Sequence, residues 1–200
     1  MNVAIVDYGA GNLASLQAAF LAIGAGSCIT SDPQQVAQAE RIVVPGVGHF
    51  SSTQQLKSSG LDAAVRSAID RGTPLLGICL GMQWLFDGSE EATGLPGLAA
   101  FPGTSRRFPI TIKTPHVGWN QLQHCAPASR LLQGIPEGSY AYFTHSYRIE
   151  RSEQAVATSD YAGYFCAAIE RGNLFGVQFH PEKSSTVGIT ILKNFCDLPC

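Results

Sequence analysis

Charge is scarce in this sequence: Asp, Glu, Lys and Arg make up 14% of the 200 residues and leave a net charge of −2. With 45% of residues apolar, that composition excludes an intrinsically disordered chain and indicates a compact globular protein. No basic cluster is longer than Arg106-Arg107, so there is no electrostatic footprint for nucleic acid. No apolar run approaches the length of a membrane span. The chain opens on the strand-like Asn2-Val3-Ala4-Ile5-Val6 without a basic segment or a cleavage site, so no signal peptide is expected. The cysteines at 28, 79, 125, 166, 196 and 200 include no Cys-x-x-Cys pair, and their scatter through apolar segments argues against a disulfide framework. Cys196 and Cys200, on an end read as frayed, and His124-Cys125 lack a second paired element at zinc spacing, so neither metal nor cofactor is expected. These absences together predict a cytoplasmic protein, with no membrane or nucleic-acid partner, whose thiols stay reduced.

What is present alternates between strand and helix. Asn2 to Asp7 reads as a strand, followed by a helix that Asn12 caps, that Leu13, Leu16, Phe20 and Ile23 mark at helical spacing, and that Gly24 stops. Arg41-Ile42-Val43-Val44 reads as a second buried strand, broken by Pro45-Gly46-Val47-Gly48. Leu61, Val65, Ala68 and Ile69 mark another helix, and Pro74 to Ile78 another strand. From about residue 98 short strands with Pro and Gly turns take over, and a helix from Ser184 to Phe195 closes the chain. The expected fold is α/β: a mainly parallel mixed sheet flanked by helices on both faces, with an antiparallel extension in the second half, in one domain over residues 1–200. Gly9-x-Gly11 could open a dinucleotide site. The third glycine of that fingerprint would fall at Ala14, however, and no acidic residue ends the next strand at Cys28-Ile29-Thr30, so a Rossmann cofactor is not expected.

Two motifs carry chemistry. Gly77-Ile78-Cys79-Leu80-Gly81 lies between the apolar run Thr73-Pro74-Leu75-Leu76 and Met82-Gln83-Trp84-Leu85-Phe86, a strand, sharp turn and helix with cysteine at the apex. A thiol there meets the unpaired N–H groups of a helix start, which favour the reactive thiolate. The pentapeptide alone also fits a packing turn around a buried cysteine and favours catalysis only modestly. The second motif is His180-Pro181-Glu182, directly after the strand-like Phe175-Gly176-Val177-Gln178-Phe179. Alone, such a histidine reads as a surface or capping residue. Together, Cys79, His180 and Glu182 supply a nucleophile, a base and a group that orients the base.

On these two motifs the chain resembles the class I, triad-type glutamine amidotransferases, over essentially its whole length. Four further segments narrow the likeness to the glutaminase subunits of imidazole glycerol phosphate synthases: Asp7-Tyr8-Gly9-Ala10-Gly11-Asn12, Pro115-His116-Val117-Gly118-Trp119-Asn120, Tyr142-Phe143-Thr144-His145-Ser146-Tyr147 and His180-Pro181-Glu182-Lys183-Ser184-Ser185. The sequence departs from that pattern at Thr144, where an apolar residue is usual, and in a shortened, glycine-poor stretch around Leu98-Ala99-Ala100. The resemblance implies L-glutamine as substrate and a heterodimer with a separate (β/α)8-barrel cyclase subunit, which Asn12, Trp119, Asn120, Tyr142 and Lys183 would face. It also implies that Gly46, Gln83, His145, Ser146 and Tyr147 hold the glutamine, and that the strand matching Pro45-Gly46-Val47-Gly48 helps form the oxyanion hole.

Some of these assignments have independent support in the residues. The N–H of Leu80, next to the nucleophile at a helix start, suits an oxyanion donor, and the glycines around Val47 and Gly48 would let a second peptide N–H turn toward the site. A simple strand-ending turn is the plainer reading of that loop. Gln83 lies one helical turn past Cys79 on the same face, within reach of a bound substrate, although a solvated helix residue fits as well. A lone Trp119 reads more naturally as core. A glutaminase serving another synthase, or a stand-alone γ-glutamyl hydrolase, would share the triad.

Overall fold

A computed structural model describes residues 2–126 and 128–199, so Cys200 lies outside the described residues. Thirteen strands are described: β1 Asn2–Val6, β2 Gly26–Thr30, β3 Arg41–Val44, β4 Leu75–Ile78, β5 Gly88–Ser89, β6 Thr104–Arg107, β7 His116–Gln121, β8 Gln123–His124, β9 Tyr140–His145, β10 Tyr147–Arg148, β11 Ala155–Asp160, β12 Tyr164–Arg171 and β13 Leu174–Val177. The helices are α1 Leu13–Ala22, α2 Pro33–Ala37, α3 Gln54–Ser58, α4 Leu61–Asp70, α5 Leu80–Trp84 and α6 Ser185–Asp197. Among the described residues no helix is long and apolar enough to cross a membrane.

The main sheet runs β2-β1-β3-β4-β13-β12-β11-β8. Its first five strands are parallel and the last three join antiparallel, which is the expected mixed sheet with its extension in the second half. Side chains along a strand point alternately to opposite faces, and β1 shows the result. Val3 and Ile5 enter one core with Leu16 and Phe20 of α1 and Ile191, Leu192 and Phe195 of α6. Ala4 and Val6 enter the other core with Val36 of α2 and Leu61, Val65 and Ala68 of α4. Both faces are buried, which is why β1, β3 and β4 read as unbroken apolar runs. Asn12 caps α1 as expected, its Oδ1 accepting from the Ser15 N–H at 3.4 Å.

Two boundaries move. The strand expected over Phe175–Phe179 stops at Val177, because the chain changes neighbours there. Gln178 N–H still donates to Ala167 of β12, whereas the N–H of His180 donates to Tyr142 of β9. The last helix starts at Ser185 rather than Ser184 and runs on to Asp197. Ser184 is spent on a clamp: its Oγ donates to the His180 carbonyl at 2.7 Å and accepts from the Tyr142 N–H at 2.9 Å. Outside the main sheet, β7 and β9 form an antiparallel ladder that pairs Trp119 with Tyr142 and His116 with His145.

Candidate active site

β4 and β13 are parallel neighbours with Ile78 beside Val177, so the segments that follow them, carrying Cys79 and His180, emerge together at the same end of the sheet. Cys79 occupies the apex of the turn with φ 52° and ψ −106°, a strained conformation for a residue with a Cβ. The flanking glycines are required by contact. A Cβ on Gly81 would stand 1.8 Å from the Val44 carbonyl oxygen, and one on Gly77 2.7 Å from that of Gly81.

His180 is held by its backbone and by its ring. Beyond the bonds to Tyr142 and Ser184, Pro181 opens a short 3-10 turn over Pro181–Lys183 that brings Glu182 back toward the imidazole. His180 Nδ1 donates to Glu182 Oε1 at 2.9 Å, with the two side chains only 2% and 4% exposed. This leaves Nε2, buried and without a closed hydrogen bond, as the nitrogen available to the sulfur. Burial alone would depress the imidazole. The charge and hydrogen bonding of the Cys79 sulfur, with those of Glu182 behind them, outweigh it and push His180 up to about 10. A thiol, an imidazole and a carboxylate coupled in this order can move a proton from sulfur to nitrogen and later hand it to a leaving group.

Cys79 opens into a cavity of about 330 Å3, at the small end of the range for small-molecule sites. Of the residues expected to hold glutamine, Gln83, His145, Ser146 and Tyr147 line it, with Cys79, with Val47, Gly48 and Leu80 of the expected oxyanion hole, and with Glu91, Pro115 and Thr144, to which sequence reasoning assigns no site role. Gly46 does not line it. Its carbonyl accepts from the Leu80 N–H across a long 3.4 Å, so one expected oxyanion donor is engaged inside the protein. Gly48 has φ +97°, in the region that favours glycine. Behind this loop the buried Tyr8 donates its O–H to the Pro45 carbonyl at 2.8 Å, and burial, with the Cys79 charge, pushes that phenol well above its ordinary range. Sequence reasoning gives Tyr8 no part in the site. Among the described residues no group of three or more His, Cys, Asp or Glu is arranged to hold a metal ion.

The residues expected at a partner face divide. Trp119, 49% exposed, packs edge-on to Tyr142 at 5.9 Å, and Lys183 Nζ lies 5.7 Å over the Tyr142 ring, so these three form one patch. α1, which follows the exposed Asn12, packs against the turn that carries Lys183. Asn120 differs: as Trp119's neighbour on a strand it points to the other face, where its Oδ1 meets His116 Nε2 at 2.8 Å and its Nδ2 donates to the Asp160 carbonyl.

His116 and His145 form a buried pair at 3.1 Å, and His145 Nδ1 donates to the Tyr147 carbonyl at 2.9 Å. Burial is the main reason that His145 falls to about 3. The Tyr147 bond opposes the shift, while the charges of His116, His180 and Arg148 add to it. Burial lowers His116 as well, against its bond to Asn120. His145 is therefore kept neutral in the folded state. A folded value below the unfolded one, about 6.5, means that the unfolded chain binds the proton first. This contribution is complete above about pH 6.5, is lost as pH falls toward 3, and amounts to a few kcal/mol at most. His145→Gln should therefore cost stability at pH 7 and progressively less by pH 4. Urea unfolding of both proteins across that range checks this; a constant difference would refute the assignment to His145.

A model of the glutamine amidotransferase class I family matches residues 4–198. The imidazole glycerol phosphate synthase subunit HisH of Moorella thermoacetica is 48% identical over 199 residues, covering 98% of this chain and 94% of that protein. The HisH subunit of Methanothermobacter thermautotrophicus is 46% identical over 197 residues, covering 98% of each. Among solved structures, a glutamine amidotransferase superposes with a TM-score of 0.77 at 16% identity, covering 98% of this chain and 97% of that one. PurLQS from Thermotoga maritima superposes at 0.72 and 16% identity, covering 98% and 97%. With its elbow, its His-Pro-Glu turn and these relatives, the chain belongs to the class I glutamine amidotransferases, in the same family as the HisH subunits.

Proposed function

We propose that this chain is the glutaminase subunit of an imidazole glycerol phosphate synthase, in one cytoplasmic glutamine amidotransferase domain, and that Cys79, His180 and Glu182 hydrolyse L-glutamine. The observation that carries the reading is the buried His180–Glu182 pair, coupled to a strained cysteine that opens on an amino-acid-sized cavity. The Cys79 thiolate attacks the carboxamide carbon. His180, as imidazolium, protonates the departing ammonia, and a γ-glutamyl thioester remains. Neutral His180 then activates the water that releases glutamate, while Glu182 orients the ring and offsets its charge. Gln83, His145, Ser146 and Tyr147 hold the α-amino acid end.

Ammonia released into water is protonated and lost as a nucleophile, so the product is useful only to a docked acceptor enzyme. A (β/α)8-barrel cyclase subunit fits that need and would seat on Trp119, Tyr142, Lys183 and Asn12, with Asn120 behind them. The Tyr142 backbone bonds both His180 and Ser184, so this patch lies one hydrogen bond from the base.

The oxyanion loop supplies a switch. Leu80 N–H is held by Gly46, and turning the Val47–Gly48 peptide over would take φ of Gly48 from +97° to about −80°, a value open to any residue. A docked partner that favours the turned peptide would complete the donor set, worth 10² to 10³ in rate, or roughly 3 to 4 kcal/mol. The test compares glutaminase rates with and without the cyclase and its nucleotide ligand; stimulation of about 10² or more is expected. A Cβ on Gly48 meets nothing within 4 Å, so Gly48→Ala adds only backbone strain to the resting form. That variant should raise the unstimulated rate several-fold. A ratio near one, with rapid hydrolysis of larger γ-glutamyl peptides by the chain alone, would favour a stand-alone hydrolase.

A further inference from the structure

Gln178 follows the last strand of the sheet and is completely buried. Its Nε2 lies 3.5 Å from Cys79 Sγ, and its Oε1 accepts from Gln83 Nε2 at 3.0 Å. Gln83 Nε2 also donates to the Tyr147 carbonyl at 2.9 Å. The two ends of a carboxamide are ordinarily hard to tell apart, and here a backbone group decides between them. The Tyr147 carbonyl can only accept, so Gln83 must present its NH2. The second hydrogen of that NH2 meets Gln178 Oε1, and this turns the NH2 of Gln178 toward the sulfur. His145 Nδ1 bonds the same Tyr147 carbonyl and fixes its position.

We propose that Gln178 is a catalytic residue: a neutral donor that stabilises the Cys79 thiolate and aims its sulfur. The proposal rests on Cys79 being the nucleophile. The sulfur also lies 3.8 Å from the Thr144 carbonyl, which suits an S–H and repels an S⁻. The Gln178 N–H provides the opposite preference, and an amide cannot take the thiol proton or compete with His180 as base. The same donor would stabilise the sulfur as it leaves the thioester. Gln83, which also faces the substrate cavity, acts on the sulfur through Gln178.

The experiment measures the rate of Cys79 carboxamidomethylation by iodoacetamide, located by mass spectrometry, from pH 6 to 10, in the whole chain and in Gln178→Met and Gln178→Glu. Methionine keeps the length and removes the donor. Its alkylation at pH 7 should fall about tenfold or more, the range expected for losing a hydrogen bond to a charged group, and the deficit should narrow as pH rises toward 10. Glutamate keeps the acceptor for Gln83 but faces the sulfur with oxygen, and should fall further. In glutamine hydrolysis both changes should lower kcat with little change in KM. A purely structural role would act through Gln83 on KM and leave the alkylation profile unmoved, and parental profiles in both variants would overturn the proposal. Unfolding transitions are recorded first; if the methionine variant does not fold, the glutamate variant decides. Alkylation in the parent at a cysteine other than 79 would instead overturn the nucleophile assignment.

Discussion

Cys79→Ala should abolish glutamine hydrolysis and leave ammonia-dependent synthesis by the assembled complex nearly unchanged. The side chain lost is the one that would attack the substrate. Little else depends on it: both residues carry a Cβ, so the strain of φ 52° is retained, and beyond its coupling to His180 the sulfur's hydrogen bonds are the long ones to Gln178 and Thr144. The fold and the docking patch should therefore persist, and a cyclase given free ammonia would bypass the defect. His180 should also titrate lower in this variant, since Cys79 is the leading cause that raises it. The measurements are synthesis rates with glutamine and with ammonium salts, and an NMR titration of His180. Equal loss of both activities would mean that Cys79 serves folding or docking, and the nucleophile assignment would fail.

The parts of this site that the sequence disclosed are those where geometry leaves the residue no choice. Gly77 and Gly81 are readable because a Cβ at either would collide with backbone, and Pro181 because it starts the turn that returns Glu182 to His180. The two-faced sheet was legible for a similar reason, since β1, β3 and β4 are apolar on both sides. Gln178 was hidden because its part is set by long-range neighbours, Gln83 and Tyr147, and nothing local distinguishes it from another strand residue. The engagement of Leu80 by Gly46 is a single backbone bond between distant segments and leaves no trace in residue type. Asn120 is different, because a signal was available. Adjacent strand residues face opposite ways, so Trp119 and Asn120 could not both present side chains to one partner surface.

His180→Asn should lower glutamine turnover by about 10³ or more, because both the proton acceptor and the donor to the leaving ammonia disappear. Glu182→Gln should cost roughly ten to a hundred times less than that. The order follows because Glu182 acts only through His180, its hydrogen bond and charge being among the causes that raise the imidazole. Glutamine at 182 can keep the Oε1 acceptor for Nδ1. Its amide NH2 would replace Oε2, which is buried with no partner, so the ring stays oriented while the carboxylate charge is lost. The imidazolium form of His180 then becomes less favoured, and the alkaline limb of the pH–rate profile should move to lower pH in Glu182→Gln, whereas His180→Asn should erase that limb. Turnover measured from pH 6 to 10 for both variants with the partner present decides this. A larger loss in Glu182→Gln than in His180→Asn would reverse the two roles, making the carboxylate the group that handles the proton and the histidine its support.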